Sequence, residues 1–278
     1  MSSTGSEAPR RLIVNADDFG FTRDVNAGIV EAFERGILRA TTLMANGAAF
    51  DDAVRLAHAT PGLDVGCHLV LVQGESVAHP GKRLPSSVAE LVRAVAFGRI
   101  AIYEELAAQV RRILDAGLRP THLDTHKHTH LLPPVLDAVA RLSQENGILW
   151  VRRPFDLPVG GIPCNAPLRK QAFARSLVLL RPRFRSVLAR HGCRFTDHFA
   201  GFRITGRFGA RELAALVRRL PPGITEFMCH PGRCGAELRA AQTRLKENRE
   251  AELEALVSPE VRAAIDEAGV EITSYREL

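Results

Sequence analysis

Four short stretches of this chain carry side chains able to bind a metal ion and move protons. Asp17 and Asp18 come two residues after the apolar run Leu12-Ile13-Val14, in "LIVNADDFG". His68 lies in "DVGCHL", and His230 closes "GITEFMCH" just before Pro231-Gly232. "HLDTHKHTH" packs His122, Asp124, His126, His128 and His130 into nine residues. Imidazole and carboxylate together suit zinc, iron, cobalt or nickel, and an incomplete protein shell leaves positions for water and substrate. Two adjacent carboxylates repel. A divalent ion at one of them relieves that repulsion and depresses the pKa of its neighbour. One aspartate can then act as ligand while the other takes a proton from water.

Each stretch alone has a plainer reading. An Asp-Asp pair also serves as a loop or helix cap, and a single buried histidine is commonly just hydrogen-bonded. A polar, histidine-rich run can be a solvated loop, and His230 can be a turn residue ahead of Pro231. What raises them together is placement. Leu12–Val14 reads as a strand, "DVNAGIVEAFERG" as a helix, "ATTLMANG" as a strand and "FDDAVRLAHAT" as a helix. "DVGCHLVL" is a third strand, followed by helices near 87–97 and 101–116. Then come the strand "PTHLDTH", the helix "PPVLDAVARLSQENG" and the strand "ILWVRRP". This alternation implies parallel strands joined by crossover helices. After a break over 154–208, "ARELAALVRRL" is a helix, "GITEFMCH" a strand, "TRLKENREAELEALV" a helix and "VEITSY" a last strand. The expected fold is α/β: a (β/α) barrel, distorted or incomplete, with about seven parallel strands. No GxGxxG follows the first strand, which argues against a dinucleotide-binding sheet. In a parallel barrel all strand C-terminal ends share one face. Asp17, Asp18, His68, Asp124, His126, His128, His130 and His230 therefore converge. His128, His130 and Arg152 are candidates for substrate contact. His58, His79, His191 and His198 have no such placement.

A composition of 46% hydrophobic and 24% charged residues over 278 positions supports one large soluble domain over residues 11–278. Residues 1–10 are polar and read as a disordered start without a secretory h-region. Five scattered cysteines with no CxxC pair indicate neither a zinc ribbon nor a disulfide framework, and a reducing cytoplasm is expected. Charge is uneven. Arg152–Arg219 holds 15 basic and 3 acidic residues, so the other positions hold 22 and 28. This basic helical insertion near 154–208 suits an anionic surface, including peripheral contact at the inner membrane face, or is simply an arginine-rich solvated face.

The motifs "LIVNADDFG", "GCHL", "THLDTHKHTHLLP" and "EFMCHPG", in this order, resemble the YdjC-like carbohydrate deacetylases. The resemblance runs over about residues 11–273, and within the family it is greatest to the hopanoid biosynthesis-associated members. It implies a (β/α) barrel with one divalent metal ion (zinc, magnesium or another first-row metal) ligated by Asp18, His68 and His126. It implies Asp17 as general base and His230 as the acid that protonates the leaving amine. The implied reaction removes an N-acetyl group from an N-acetylglucosamine-type sugar, including the sugar headgroup of a hopanoid glycolipid. After "CHPG", where many members keep tyrosine, "RCGAELRAAQTRL" has none. The rival readings are a barrel phosphoesterase, expected to hold two or three metals, and a non-catalytic lipid- or anion-binding protein. Nucleic acid is not an expected partner; a homo-oligomer is compatible with the sequence.

Overall fold

A computed structural model describes residues 8–157 and 167–278. Its strands are β1 (Arg10–Phe19), β2 (Ala40–Leu43), β3 (Asp64–Leu69), β4 (His122–Thr125), β5 (Trp150–Val151), β6 (His198–Ala200), β7 (Gly223–Cys229) and β8 (Val270–Thr273). The helices are α1 (Arg23–Arg35), α2 (Phe50–Ala59), α3 (Val88–Ala96), α4 (Ile102–Asp115), α5 (Pro133–Asn146), α6 (Leu168–Ser176), α7 (Arg181–Arg190), α8 (Ala210–Val217), α9 (Ala236–Ala240), α10 (Glu247–Leu256) and α11 (Pro259–Ala268).

Seven strands follow the order β5-β4-β3-β2-β1-β7-β6, all parallel, and curl into a distorted (β/α) half-barrel. β8 pairs with the first half of β1, from Arg10 to Ile13, while β2 pairs with its second half. A strand has two edges and β7 occupies one of them, so β8 and β2 share the other. Between β5 and β6, among the described residues, only isolated parallel bridges connect the two sides, Trp150 to Arg194 and Asp156 to Phe199.

β1 is the central strand. Every residue from Leu12 to Phe19 is buried, as expected for a strand covered on both faces. The helices lie outside with an apolar stripe inward: Val25, Ile29 and Ala32 on α1, Val135, Leu136 and Val139 on α5. Thr22 caps α1 through the Val25 N–H, and Ser87 caps α3 through that of Glu90.

Several sequence expectations shift. β6 and α11 were not anticipated, because three residues carry no periodicity and Pro259 separates α11 from α10. "ILWVRRP" contributes only two strand residues. β1 starts at Arg10, and the Pro9 carbonyl already accepts from Gly223 N–H. The rest of the expected disordered start, residues 1–7, lies outside the described residues, as do residues 158–166 of the break expected over 154–208. Cys67, Cys193, Cys229 and Cys234 are buried and unpaired. Among the described residues, no helix is long and apolar enough to cross a membrane.

Candidate active site

Neighbouring residues of a regular strand point to opposite faces, so β1 must deviate for Asp17 and Asp18 to serve one site. It does so by a bulge. Ala16 pairs with Thr41 and Phe19 with Leu43, three steps on β1 against two on β2. Asp18 takes a φ of 71°, in the left-handed region that aspartate tolerates better than most residues. The turn is tied by Phe21 N–H donating to the Asp18 carbonyl at 3.0 Å.

Asp18, His68 and His126, from β1, β3 and the end of β4, then meet. Asp18 Oδ1 lies 3.4 Å from His68 Nε2 and 3.5 Å from His126 Nδ1. The two ring nitrogens are 3.2 Å apart. Asp18 Oδ1 is buried with no hydrogen-bond partner among the described residues. Two imidazole nitrogens and an orphaned carboxylate oxygen around one point fit a divalent cation. His68 is oriented for this: its Nδ1 donates to Asp124 Oδ1 at 2.7 Å, which leaves Nε2 as the nitrogen that faces the site. Burial opposes charge on His68, but the Asp124 carboxylate raises its pKa to about 9; a cation would compete with that proton. Burial lowers the pKa of His126 and leaves it a neutral donor.

A second donor set, Asp17, His68 and Asp124, lies close by, but a guanidinium already fills it. Arg152 is 1% exposed. It donates to Asp17 through Nη1 at 2.8 Å and Nη2 at 2.7 Å, to Glu226 through Nε at 2.7 Å, and pairs with Asp124. Burial pushes Asp17 up to about 7 against the pull of Arg152. Burial also works against ionisation of Asp18, yet Arg249, His126 and His68 hold it well below the usual carboxylate range. Arg249, from α10, donates through Nη2 to Asp18 Oδ2 at 2.5 Å and is itself buried. Each aspartate thus has its own arginine. Two neighbours in one sequence motif are driven to different protonation behaviour, the pattern of an acid–base group beside a ligand.

His230 follows β7. Its Nε2 is 3.8 Å from Asp17 Oδ2 and its Nδ1 3.9 Å from Glu252 Oε2. Glu252, on α10, accepts from the backbone N–H groups of His230 and Gly206 at 2.5 and 2.6 Å. Burial lowers the His230 pKa to about 3 and raises that of Glu252 to about 7. The resting imidazole is therefore neutral.

Two residues expected at the substrate are elsewhere. His130 is wholly buried; its Nε2 donates to the Arg152 carbonyl at 3.1 Å, and Thr125 Oγ1 lies 2.6 Å from Nδ1. Arg152 lies beneath Asp17 and does not line the cavity, because three acidic side chains consume its donors. His128 does line it, beside Phe199 and Phe202. His122 is also internal, stacked on Tyr275 at 4.0 Å. Arg249 and Glu252 were missed in the sequence: they sit on a charged helix whose pattern resembles any solvated one.

The cavity, about 500 Å³, is lined by Asp17, Asp18, His126, His128, His230 and Arg249, and also by Lys170, Phe202 and Gln242. It adjoins a groove of about 1130 Å³ that shares Gln73, His126 and Gln242 with it.

Fold and site together define a distorted (β/α) barrel with an Asp-His-His donor set, able to hold a metal ion, at its strand C-terminal ends. The chain belongs to the YdjC-like protein family, whose profile matches residues 11–267. It is 33% identical over 276 residues to a chitooligosaccharide deacetylase of Klebsiella pneumoniae (strain 342), covering 97% of this chain and 99% of that one. It is likewise 33% identical to a carbohydrate deacetylase of Geobacillus stearothermophilus, over 97% and 98% of the two chains. A crystal structure from Enterococcus faecalis V583 has the same fold, with a TM-score of 0.75 at 24% identity, covering 97% of this chain and 99% of that one.

Proposed function

We propose that this protein is a metal-dependent hydrolase that removes the acetyl group from an N-acetylglucosamine-type sugar. The observation that carries the proposal is the meeting of Asp18 Oδ1, His68 Nε2 and His126 Nδ1 within 3.2–3.5 Å beside an open cavity. The deacetylase activity of relatives matched along the whole chain supports the substrate class. Asp18, His68 and His126 would hold one divalent ion, and a bound ion would supply Lewis acidity toward the amide carbonyl and toward water.

The protein groups supply proton transfer and orientation. Asp17, with its pKa raised to about 7, accepts the proton of the attacking water. Arg152 fixes the plane of that carboxylate by its two-pronged contact. His230 protonates the departing nitrogen. Because the resting ring is neutral, that proton arrives during turnover, and Asp17 Oδ2 at 3.8 Å is placed to pass it on. His128 contacts the sugar from the cavity wall. The occupation of the second donor set by Arg152 favours a single ion, and so favours this reading over a multi-metal phosphoesterase.

A finer reading is that the sugar is the headgroup of a hopanoid-type glycolipid. Phe21, Met44 and Leu84 in the wall of the adjoining groove support it, since their partly accessible side chains offer apolar contact to an aglycone. The test is mass spectrometry of N-acetylated chitooligosaccharides and N-acetylglucosaminyl lipids after incubation with metal-loaded protein. Loss of one acetyl unit is expected. An unchanged acetyl content in all of them, or release of phosphate from a phosphoester, would overturn the assignment.

A further inference from the structure

The two most exposed large hydrophobic side chains among the described residues are Leu168 at 83% and Leu179 at 82%. They belong to one surface. Leu168 and Ala172 are four residues apart and Leu179 follows seven later, which keeps them on one helical stripe. Phe173 and Val178 add further exposed apolar area to the same stretch. Ala174, Leu177 and Phe184 are buried, so the segment is seated on the protein by its other side.

Charge on this surface is one-sided. Residues 168–194 contain eight arginine and lysine residues and no aspartate or glutamate. Arg183 and Arg190 reach Asp137 on α5 at 3.4 and 3.8 Å. Arg169, Arg175 and Arg185 form no ion pair among the described residues.

We propose that the outer face of α6 and α7 docks on an anionic lipid bilayer and brings the mouth of the active-site cavity against it. The location follows from contacts in the cavity wall. Lys170 and Phe202 line the cavity, the Lys170 ammonium is 5.1 Å from the Phe202 ring centre, and the Phe173 ring is 6.3 Å from it. The segment 168–180, α6 and the 3-10 turn that follows it, therefore carries both exposed leucines and, at Lys170, part of the cavity wall.

Three occupants compete for such a face, and only one satisfies both of its properties. A nucleic acid would neutralise the arginines but leave the leucines in water. A second copy of the chain in a two-fold dimer would bury the leucines but set one basic patch against another. An anionic bilayer takes the apolar side chains into its interface and holds the cations at its headgroups. The proposal goes beyond the deacetylase reading and does not depend on it; it names where the enzyme works.

The test is flotation of the full-length protein with vesicles of phosphatidylcholine alone and of phosphatidylcholine mixed with phosphatidylglycerol, at low and high salt. The protein should float with the anionic vesicles only, and release as salt rises. Leu168→Asp with Leu179→Asp, and separately Arg169→Glu with Arg175→Glu and Arg185→Glu, should each cut the bound fraction by at least about tenfold. These positions are exposed, so circular dichroism and hydrolysis of a short soluble N-acetyl sugar should match the parent; deacetylation thus reports on function separately from binding. No flotation of the parent protein would overturn the proposal. So would undiminished flotation of both variants, binding of duplex DNA without vesicles, or a dimer that dissociates in the leucine variant while vesicles are ignored.

Discussion

Arg152 meets Asp17 face to face, with two hydrogen bonds of 2.8 and 2.7 Å between side chains that are both buried. The fork matches the carboxylate plane and fixes its direction. The same guanidinium also faces Asp124 and Glu226, so one cation serves three buried acids.

Arg152 should therefore not tolerate replacement. Arg152→Met leaves three buried acids without a counter-charge and should cost about 3–5 kcal/mol of stability. Arg152→Lys keeps the charge but loses the fork, and should fold with a kcat reduced on the order of 10²-fold. Urea unfolding and kcat at equal metal occupancy measure the two effects. A lysine variant with parental kcat would show that orientation of Asp17 is unimportant.

Metal content should track the Asp18, His68 and His126 cluster. The parent protein should retain about one divalent ion per chain by elemental analysis, and His126→Ala far less. Chelation should abolish deacetylation, and metal addition restore it. Retention by His126→Ala together with loss in His128→Ala would move the ligand two residues along the chain.

Arg249 should matter to metal binding without touching the ion's site directly. By occupying Asp18 Oδ2 it leaves Oδ1 as the donor facing the two imidazoles. Arg249→Gln should weaken metal affinity by about 10–100-fold, measured by competition with a coloured chelator, and Arg249→Lys should recover part of it. Equal affinity in all three proteins would leave Arg249 a packing residue only.

Asp17 and His230 should separate by leaving group. An amine must be protonated as it departs; an acidic phenol need not be. His230→Ala should lower N-acetyl hydrolysis on the order of 10²–10⁴-fold and largely spare an activated acetate ester, whereas Asp17→Asn should lower both. Equal losses on amide and ester for His230→Ala would remove it from the acid role.

Acid should destabilise the fold partly through His122. This ring is buried against Tyr275 and donates from Nε2 to Asn15 Oδ1 at 3.0 Å. Burial lowers its pKa from 6.5 to about 4, so the unfolded chain takes up a proton that the folded one refuses. Its contribution is present above the unfolded pKa and is lost as pH falls through that value toward about 4, a change of about 3 kcal/mol. Glu252, raised from 4.5 to about 7 by burial, works the other way, losing stability as pH rises across that interval. The comparison must therefore be between variants. His122→Phe should be less stable than the parent near neutrality and lose distinctly less on going to about pH 4.5 in urea unfolding. Parallel pH curves for the two proteins would rule His122 out.

The meeting of Asp18, His68 and His126 was legible because each sits at or just past the end of a strand, and parallel order sends all such ends to one side. The same rule over-reached at His130 and Arg152. Both follow strands, yet nothing local shows whether a polar side chain ends in the cavity or beneath it. Burial depends on which elements pack over a residue, and His130 is covered because the Arg152 carbonyl and Thr125 take its ring. Arg249 and Glu252 had no signal of this kind, since a helix in "ENREAELEALV" presents charges on every side.

The question raised by two adjacent carboxylates divides the same way. Residue order and type determined a strand, its end, and the arrival there of two acids and several histidines. Those are local properties: apolar runs, turn residues and period. Only the tertiary structure decided that a bulge turns both acids to one side, and that Arg152 takes Asp17 while Arg249 takes Asp18. These partners lie 135 and 231 residues away. Electrostatic pairing depends on distance in space and on exclusion of water, and neither is written in the neighbourhood of "ADD".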